Sequence, residues 1–180
     1  MIQMSNIKDT LVRCGAILYG DFTLSSGKKS RYYIDIKKAS TDPLILGEVA
    51  DEMAHIIEDS DIEVDRIAGV VLGSVPLAVA LSLRTGINFI MIRKEPKDHG
   101  TGKLIEGSLE AGMKVLVVED VVTAAGSAAY AIEVLRKAGA EVDHVLSVVD
   151  REEGGREKLE SMSTTLHALV TAGEVLGQDK

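Results

Sequence analysis

Two acids stand at the end of an apolar run in the segment VLVVED, residues 115–120, and a run of small residues follows them. Val115, Leu116, Val117 and Val118 have the character of a buried strand. Burying two adjacent carboxylates is costly without partners, so Glu119 and Asp120 are expected to leave the sheet and face an opening. There they can accept hydrogen bonds from a vicinal diol, as an acidic residue does for ribose in dinucleotide-binding folds. Thr123, Ala124, Ala125, Gly126 and Ser127 then lead into a helix. Small side chains let a ligand approach the backbone N–H groups, and a helix N terminus favours an anion. Diol acceptors beside an anion nest suit a ribose 5-phosphate. A plain strand-to-helix turn with an acidic cap accounts for the acids alone equally well. A triphosphate loop ending in Gly-Lys-Ser or Gly-Lys-Thr is missing, and so is a Rossmann fingerprint.

A second segment, RKEPKDHGTGK at residues 93–103, gathers Arg93, Lys94, Lys97, His99 and Lys103. Pro96, Gly100 and Gly102 interrupt any continuous helix or strand, so a mobile loop is expected. Such runs are commonly just solvated. No second histidine or cysteine lies near His99, so metal binding there is not expected. The formal net charge of −8 argues against broad nucleic-acid or anionic-membrane binding. One basic loop on an acidic chain fits a small anion better than a polyanion. Arg151 is a third candidate, because its planar fork can pair with a carboxylate or carbonyl oxygens. Pairing with Glu152 or Glu153 at a helix start is the plain alternative.

These segments need positioning, and the hydrophobic pattern supplies the elements. Residues 5–15 have helical spacing, and residues 17–24 and 31–36 read as two short strands around a turn. Asp42 followed by Pro43 is a strong helix start. Strands are expected at 66–72, 88–92, 113–118, 142–149 and 164–170. Helices fall between them at 76–84, 126–138 and 152–162, the second stopped by Gly139. This alternation predicts an α/β fold, a parallel sheet covered on both faces, in which ligands sit beyond the carboxyl ends of the strands. Gly73 and Ser74, the basic run, residues 119–127 and Arg151 each follow a predicted strand, which argues for one shared site. The polar N terminus and the single cysteine, Cys14, fit a cytoplasmic protein.

The stretch VVEDVVTAAGSAA (117–129) resembles the phosphoribosyl pyrophosphate motif of type I phosphoribosyltransferases: two acids, Thr or Ser, then a glycine-rich turn. Ala124 and Ala125 stand where Thr or Gly is common, which implies a stiffer loop. RKEPKDHGTG (93–102) closely resembles the catalytic loop of orotate phosphoribosyltransferases. FTLSSG (22–27) with SRYYIDIK (30–37) resembles that family's N-terminal signature, and DREEGG (150–155) its orotate-binding segment. GSVP (73–76) fits the shorter form of its pyrophosphate loop.

The resemblance implies one domain over residues 1–180, with a central, mostly parallel sheet flanked by helices and a small N-terminal hood contributed mainly by residues 1–40. It implies transfer of ribose 5-phosphate from phosphoribosyl pyrophosphate to orotate, a step of de novo pyrimidine (UMP) biosynthesis. Glu119 and Asp120 would hold the ribose hydroxyls, and Thr123, Ala124, Ala125, Gly126 and Ser127 the 5-phosphate. Lys97 would stabilise the pyrophosphate leaving group. Arg93, Lys97 and His99 would reach the site from the partner of a homodimer, and Lys94 from its own chain. Arg151 would orient the base, with Ser25, Tyr33 and Lys37 completing the substrate site. Ser25 stands where some members use lysine, and Lys37 is the candidate for that charge. Mg²⁺ is the implied cofactor, held mainly by phosphoribosyl pyrophosphate rather than by protein ligands. Three rivals stay open: a phosphoribosyltransferase for another base, a non-catalytic transcriptional regulator with the same fold, and a plain structural domain.

Overall fold

A computed structural model of the chain describes residues 6–23, 27–95 and 103–177. The N-terminal part contains α1 (Ile7–Arg13), β1 (Ile17–Thr23), β2 (Lys29–Ile34), α2 (Lys37–Ser40) and α3 (Pro43–Asp59). Next come β3 (Arg66–Val70), α4 (Val75–Thr85), β4 (Phe89–Ile92) and β5 (Ile105–Glu106). The chain continues through β6 (Lys114–Val122), α5 (Gly126–Lys137) and β7 (Glu141–Asp150). It then passes through α6 (Gly155–Ser161), β8 (Thr165–Thr171) and α7 (Ala172–Val175).

Six strands form a sheet in the order β5-β4-β3-β6-β7-β8, and β1 and β2 form a separate antiparallel pair. Every pairing in the larger sheet is parallel except β4 with β5. The central strands are apolar on both faces because both are covered. Leu116, Val118, Leu146 and Val148 pack on one side with Leu11, Met53, Leu77 and Leu81. Val115, Val117 and Val145 pack on the other with Ile132, Leu135 and Leu159. Asp42 caps α3 as its sequence suggests, its Oδ1 accepting from the N–H groups of Leu44 (3.0 Å) and Ile45 (3.2 Å). Among the described residues no helix is long and apolar enough to cross a membrane.

Two expectations need correction. The strand expected to stop at Val118 runs on through Glu119 and Asp120 to Val122, because β7 stays paired with it as far as Val122↔Asp150. The helix expected from residue 152 starts at Gly155, since Glu152 and Gly154 both take left-handed backbone angles. The short elements α2, β5 and α7 were not foreshadowed by any periodicity.

Candidate active site

The ends of β3, β6 and β7 bring the chemistry-bearing segments together. Glu119 lies within β6, opposite Ser147 of β7, and is only 5% exposed. It lies inside the strand rather than beyond it, where the sequence suggested the chain leaves the sheet. Its Oε2 accepts a hydrogen bond from the Ser74 hydroxyl at 2.8 Å, whereas its Oε1 is buried without a hydrogen-bond partner. Burial pushes the carboxyl up to about 7; the Ser74 bond opposes this, Asp120 adds to it, and the Lys94 charge opposes it. Asp120 is half-buried, and its Oδ1 accepts from the Val121 N–H at 2.8 Å. Gly73 makes room for it: a Cβ there would lie 2.8 Å from Asp120 Oδ2.

Thr123 and Ala124 are exposed beyond β6, and Ala125 turns the chain into α5 at φ 56° and ψ 31°. That left-handed conformation costs a residue with a Cβ roughly 1–2 kcal/mol, and glycine avoids the cost. No side chain caps α5, so its first N–H groups have no side-chain acceptor, the arrangement that suits an anion. Gly155 packs from α6 directly against this turn, where a Cβ would strike the Thr123 carbonyl oxygen and sit 2.6 Å from Val122 Cγ1. Gly126 and Ser127 line a cavity of about 230 Å³ together with Val70, Lys94 and Tyr130. Arg93 precedes Lys94 in the chain, its N–H bonded to the Leu104 carbonyl (2.8 Å) and its Nη1 3.6 Å from Glu106 Oε1.

A second cavity, about 360 Å³, opens between β2 and the segment after β7, with Lys28, Lys29, Arg31, Tyr32, Arg151 and Glu153 in its lining. The Arg151 guanidinium lies over the Tyr32 ring, 4.9 Å from its centroid, and its Nε donates to Glu153 Oε1 at 2.9 Å. The plain alternative, pairing with Glu153, is therefore present, and Arg151 lines the cavity all the same. Burial raises the Tyr32 hydroxyl above its usual range although the Arg151 charge opposes this. The backbone beneath Arg151 is fixed by Asp150, which is fully buried. Asp150 Oδ1 accepts from the Glu152 N–H and its Oδ2 from Arg156 Nη2, both at 2.9 Å.

The structure thus brings together Glu119, Asp120, Thr123, Ala124, Ala125, Gly126, Ser127 and Lys94, with Arg151 at a neighbouring cavity. Tyr33 is placed elsewhere: adjacent strand residues face opposite ways, so with Tyr32 under Arg151 the Tyr33 ring lies against Phe22, 5.7 Å between centroids. Lys37 begins α2, is exposed, lines neither cavity, and has Asp35 Oδ1 4.0 Å from its Nζ. Ser25, Lys97 and His99 lie outside the described residues. Sequence reasoning gave no separate role to Tyr32, Tyr130 or Gly155. The doubled glycine of DREEGG was the one available hint, since only a residue without a side chain fits so near a backbone.

The family profile described as "Phosphoribosyl transferase domain" matches residues 38–172. The orotate phosphoribosyltransferase of Methanosarcina mazei is 49% identical over 174 residues, covering 97% of this chain and 92% of that protein. The crystal structure of orotate phosphoribosyltransferase from Aeropyrum pernix superposes with a TM-score of 0.84 at 35% identity, over 96% of this chain and 97% of that one. The Mycobacterium tuberculosis enzyme in complex with 5-phospho-alpha-D-ribosyl 1-diphosphate gives a TM-score of 0.80 at 28% identity, over 96% and 99%. The chain belongs to the phosphoribosyl transferase domain family, among its orotate phosphoribosyltransferases.

Proposed function

We propose that the chain transfers ribose 5-phosphate from phosphoribosyl pyrophosphate to N1 of orotate, giving orotidine 5′-monophosphate and pyrophosphate in de novo pyrimidine biosynthesis. The observation that carries this reading is the buried, half-partnered Glu119 beside an uncapped helix N terminus, with Arg151 held on Tyr32 close by. The M. tuberculosis relative, solved with phosphoribosyl pyrophosphate, gives that substrate independent support.

Glu119 and Asp120 accept hydrogen bonds from the ribose hydroxyls, and neither acts as a nucleophile. The N–H groups from Thr123 to Ser127 hold the 5-phosphate. Positive charge gathers at C1′ as the bond to pyrophosphate lengthens, and Lys94 answers the negative charge that builds on the leaving group. Lys97, His99 and Arg93 add to this from the partner of a homodimer. The Nη groups of Arg151 hold the orotate carboxylate or a carbonyl oxygen, with Ser25 assigned to the same end of the substrate site and Tyr32, on which Arg151 stacks, taking the place expected of Tyr33.

Mg²⁺ fits as a substrate-borne ion. Phosphate oxygens and water satisfy a hard cation, so the ion would arrive on phosphoribosyl pyrophosphate. Bound there, it would neutralise pyrophosphate charge. The same reading makes the protein a single-domain cytoplasmic enzyme.

The test is the fall in orotate absorbance with phosphoribosyl pyrophosphate present, with and without Mg²⁺, each other nucleobase being offered in turn. Consumption of orotate alone supports the assignment. No orotate consumption under any condition would refute it.

A further inference from the structure

Tyr130 sits one turn into α5, beyond the N–H groups assigned to the 5-phosphate, and its ring packs against the core on that side of the sheet. Its hydroxyl does something packing does not require. It donates to the carbonyl oxygens of Arg93 (2.9 Å) and Lys94 (3.2 Å), the first residues after β4, sharing one hydrogen between them. Arg93 is held from the other side as well, by its own N–H on the Leu104 carbonyl at 2.8 Å. Lys94 is the charged residue in the lining of the cavity formed by Gly126, Ser127, Tyr130 and Val70. It also lies near enough for its charge to act on Glu119.

We propose that the Tyr130 hydroxyl is a positioning group, which ties the backbone of residues 93 and 94 to the phosphate-binding helix and so fixes Lys94 over the substrate's phosphates. This rests on the function proposed above. Two anion-binding parts on separate elements, α5 and the end of β4, then stand at a set separation before substrate arrives. A polyphosphate that must touch both pays less to order the site. Phenylalanine would fill the same space and lose only the carbonyl bonds, so the hydroxyl can be tested without disturbing the core.

The experiment compares wild type, Tyr130→Phe, Lys94→Met and the double variant. Steady-state kinetics for both substrates are combined with calorimetric titration by phosphoribosyl pyrophosphate in Mg²⁺. Tyr130→Phe is expected to raise KM and Kd for phosphoribosyl pyrophosphate by roughly three- to tenfold, the factor one hydrogen bond supplies. KM for orotate stays unchanged, and the melting temperature moves by no more than about 4 °C. Because the hydroxyl acts through Lys94, the double variant is no weaker than Lys94→Met alone. The pH limb belonging to Glu119 also moves upward in Tyr130→Phe as the Lys94 charge loosens.

Wild-type affinity in Tyr130→Phe, equal losses for both substrates, or additive losses in the double variant each overturn the proposal. If wild type fails to consume orotate yet binds phosphoribosyl pyrophosphate more tightly than Tyr130→Phe, the orotate assignment falls and the role of Tyr130 stands. Normal turnover in wild type with unchanged binding in Tyr130→Phe has the opposite meaning.

Discussion

Replacing Glu119 by glutamine should stabilise the protein above neutral pH while removing most of its activity. The wild-type carboxyl rises from 4.5 to about 7, chiefly through burial. Between those values the folded chain binds more protons at this group than the unfolded chain, so stability falls as pH rises across that window. Below it both forms are neutral and no penalty exists; above it the full penalty applies. At about 1.4 kcal/mol per pH unit the rise corresponds to roughly 3 kcal/mol. Glutamine keeps the acceptor for Ser74 but places an amide donor where Oε1 has no partner, costing about 1 kcal/mol. The net gain at pH 8 is therefore about 2 kcal/mol, or about 4–8 °C in melting temperature for a chain of this size. At pH 5 the gain should largely vanish. The chain has no tryptophan, so circular dichroism at the two pH values is the practical assay. Loss of the charged acceptor for the ribose hydroxyls should lower kcat/KM by about 10²-fold in the orotate assay. Equal effects of the substitution at pH 5 and pH 8 would show that Glu119 is not held near neutrality. Retained activity would show that it does not hold the sugar.

Other substitutions separate stability from function at neighbouring points. Gly73→Ala pushes a Cβ against the movable end of Asp120, so thermal unfolding should change by less than about 1 kcal/mol while kcat/KM falls about 10²-fold from the misplaced carboxylate. Gly155→Ala meets backbone at Thr123, which cannot swing aside; calorimetry should record a loss of about 1–3 kcal/mol and kinetics a raised KM for phosphoribosyl pyrophosphate. Arg151→Lys loses both the fork and the stack on Tyr32, and should raise KM for orotate about tenfold or more with KM for phosphoribosyl pyrophosphate unchanged.

What the sequence disclosed follows the range of each physical signal. Asp42-Pro43, the run VLVV and Gly139 act within a few residues, and each marks an element the structure contains. The length of β6 is different in kind, because Val121 and Val122 stay in the sheet only through pairing with Val149 and Asp150 of another strand. Glu119 was therefore placed on the wrong side of a strand end. Tyr32 and Tyr33 are neighbours of like chemistry, and alternation says that one faces Arg151 without saying which. Tyr130 falls on a helical face that reads as ordinary core; only the return of β4 beside α5 gives its hydroxyl two carbonyls. The two-residue β5 has too few residues to carry a period at all.

Two buried carboxylates lie on neighbouring strands, and their contrast separates a structural acid from the one proposed to bind substrate. Asp150 has an internal donor on each oxygen, the Glu152 N–H and Arg156 Nη2. Its burial is compensated entirely within the fold, which needs it to hold the turn carrying Arg151. Glu119 has one internal donor, Ser74, and one buried oxygen with none. Folding alone would favour leucine or glutamine there, because an unmatched buried acceptor costs about 1–3 kcal/mol and a buried charge more. Such a cost at the mouth of a parallel sheet, beside an uncapped helix, is explicable when the missing donor arrives with the ligand. A ribose hydroxyl is a donor of the right kind, and it brings its phosphate to the adjacent N–H groups in the same step. On the function proposed above, the unfinished hydrogen-bond account of Glu119 is the most direct physical mark of the substrate site.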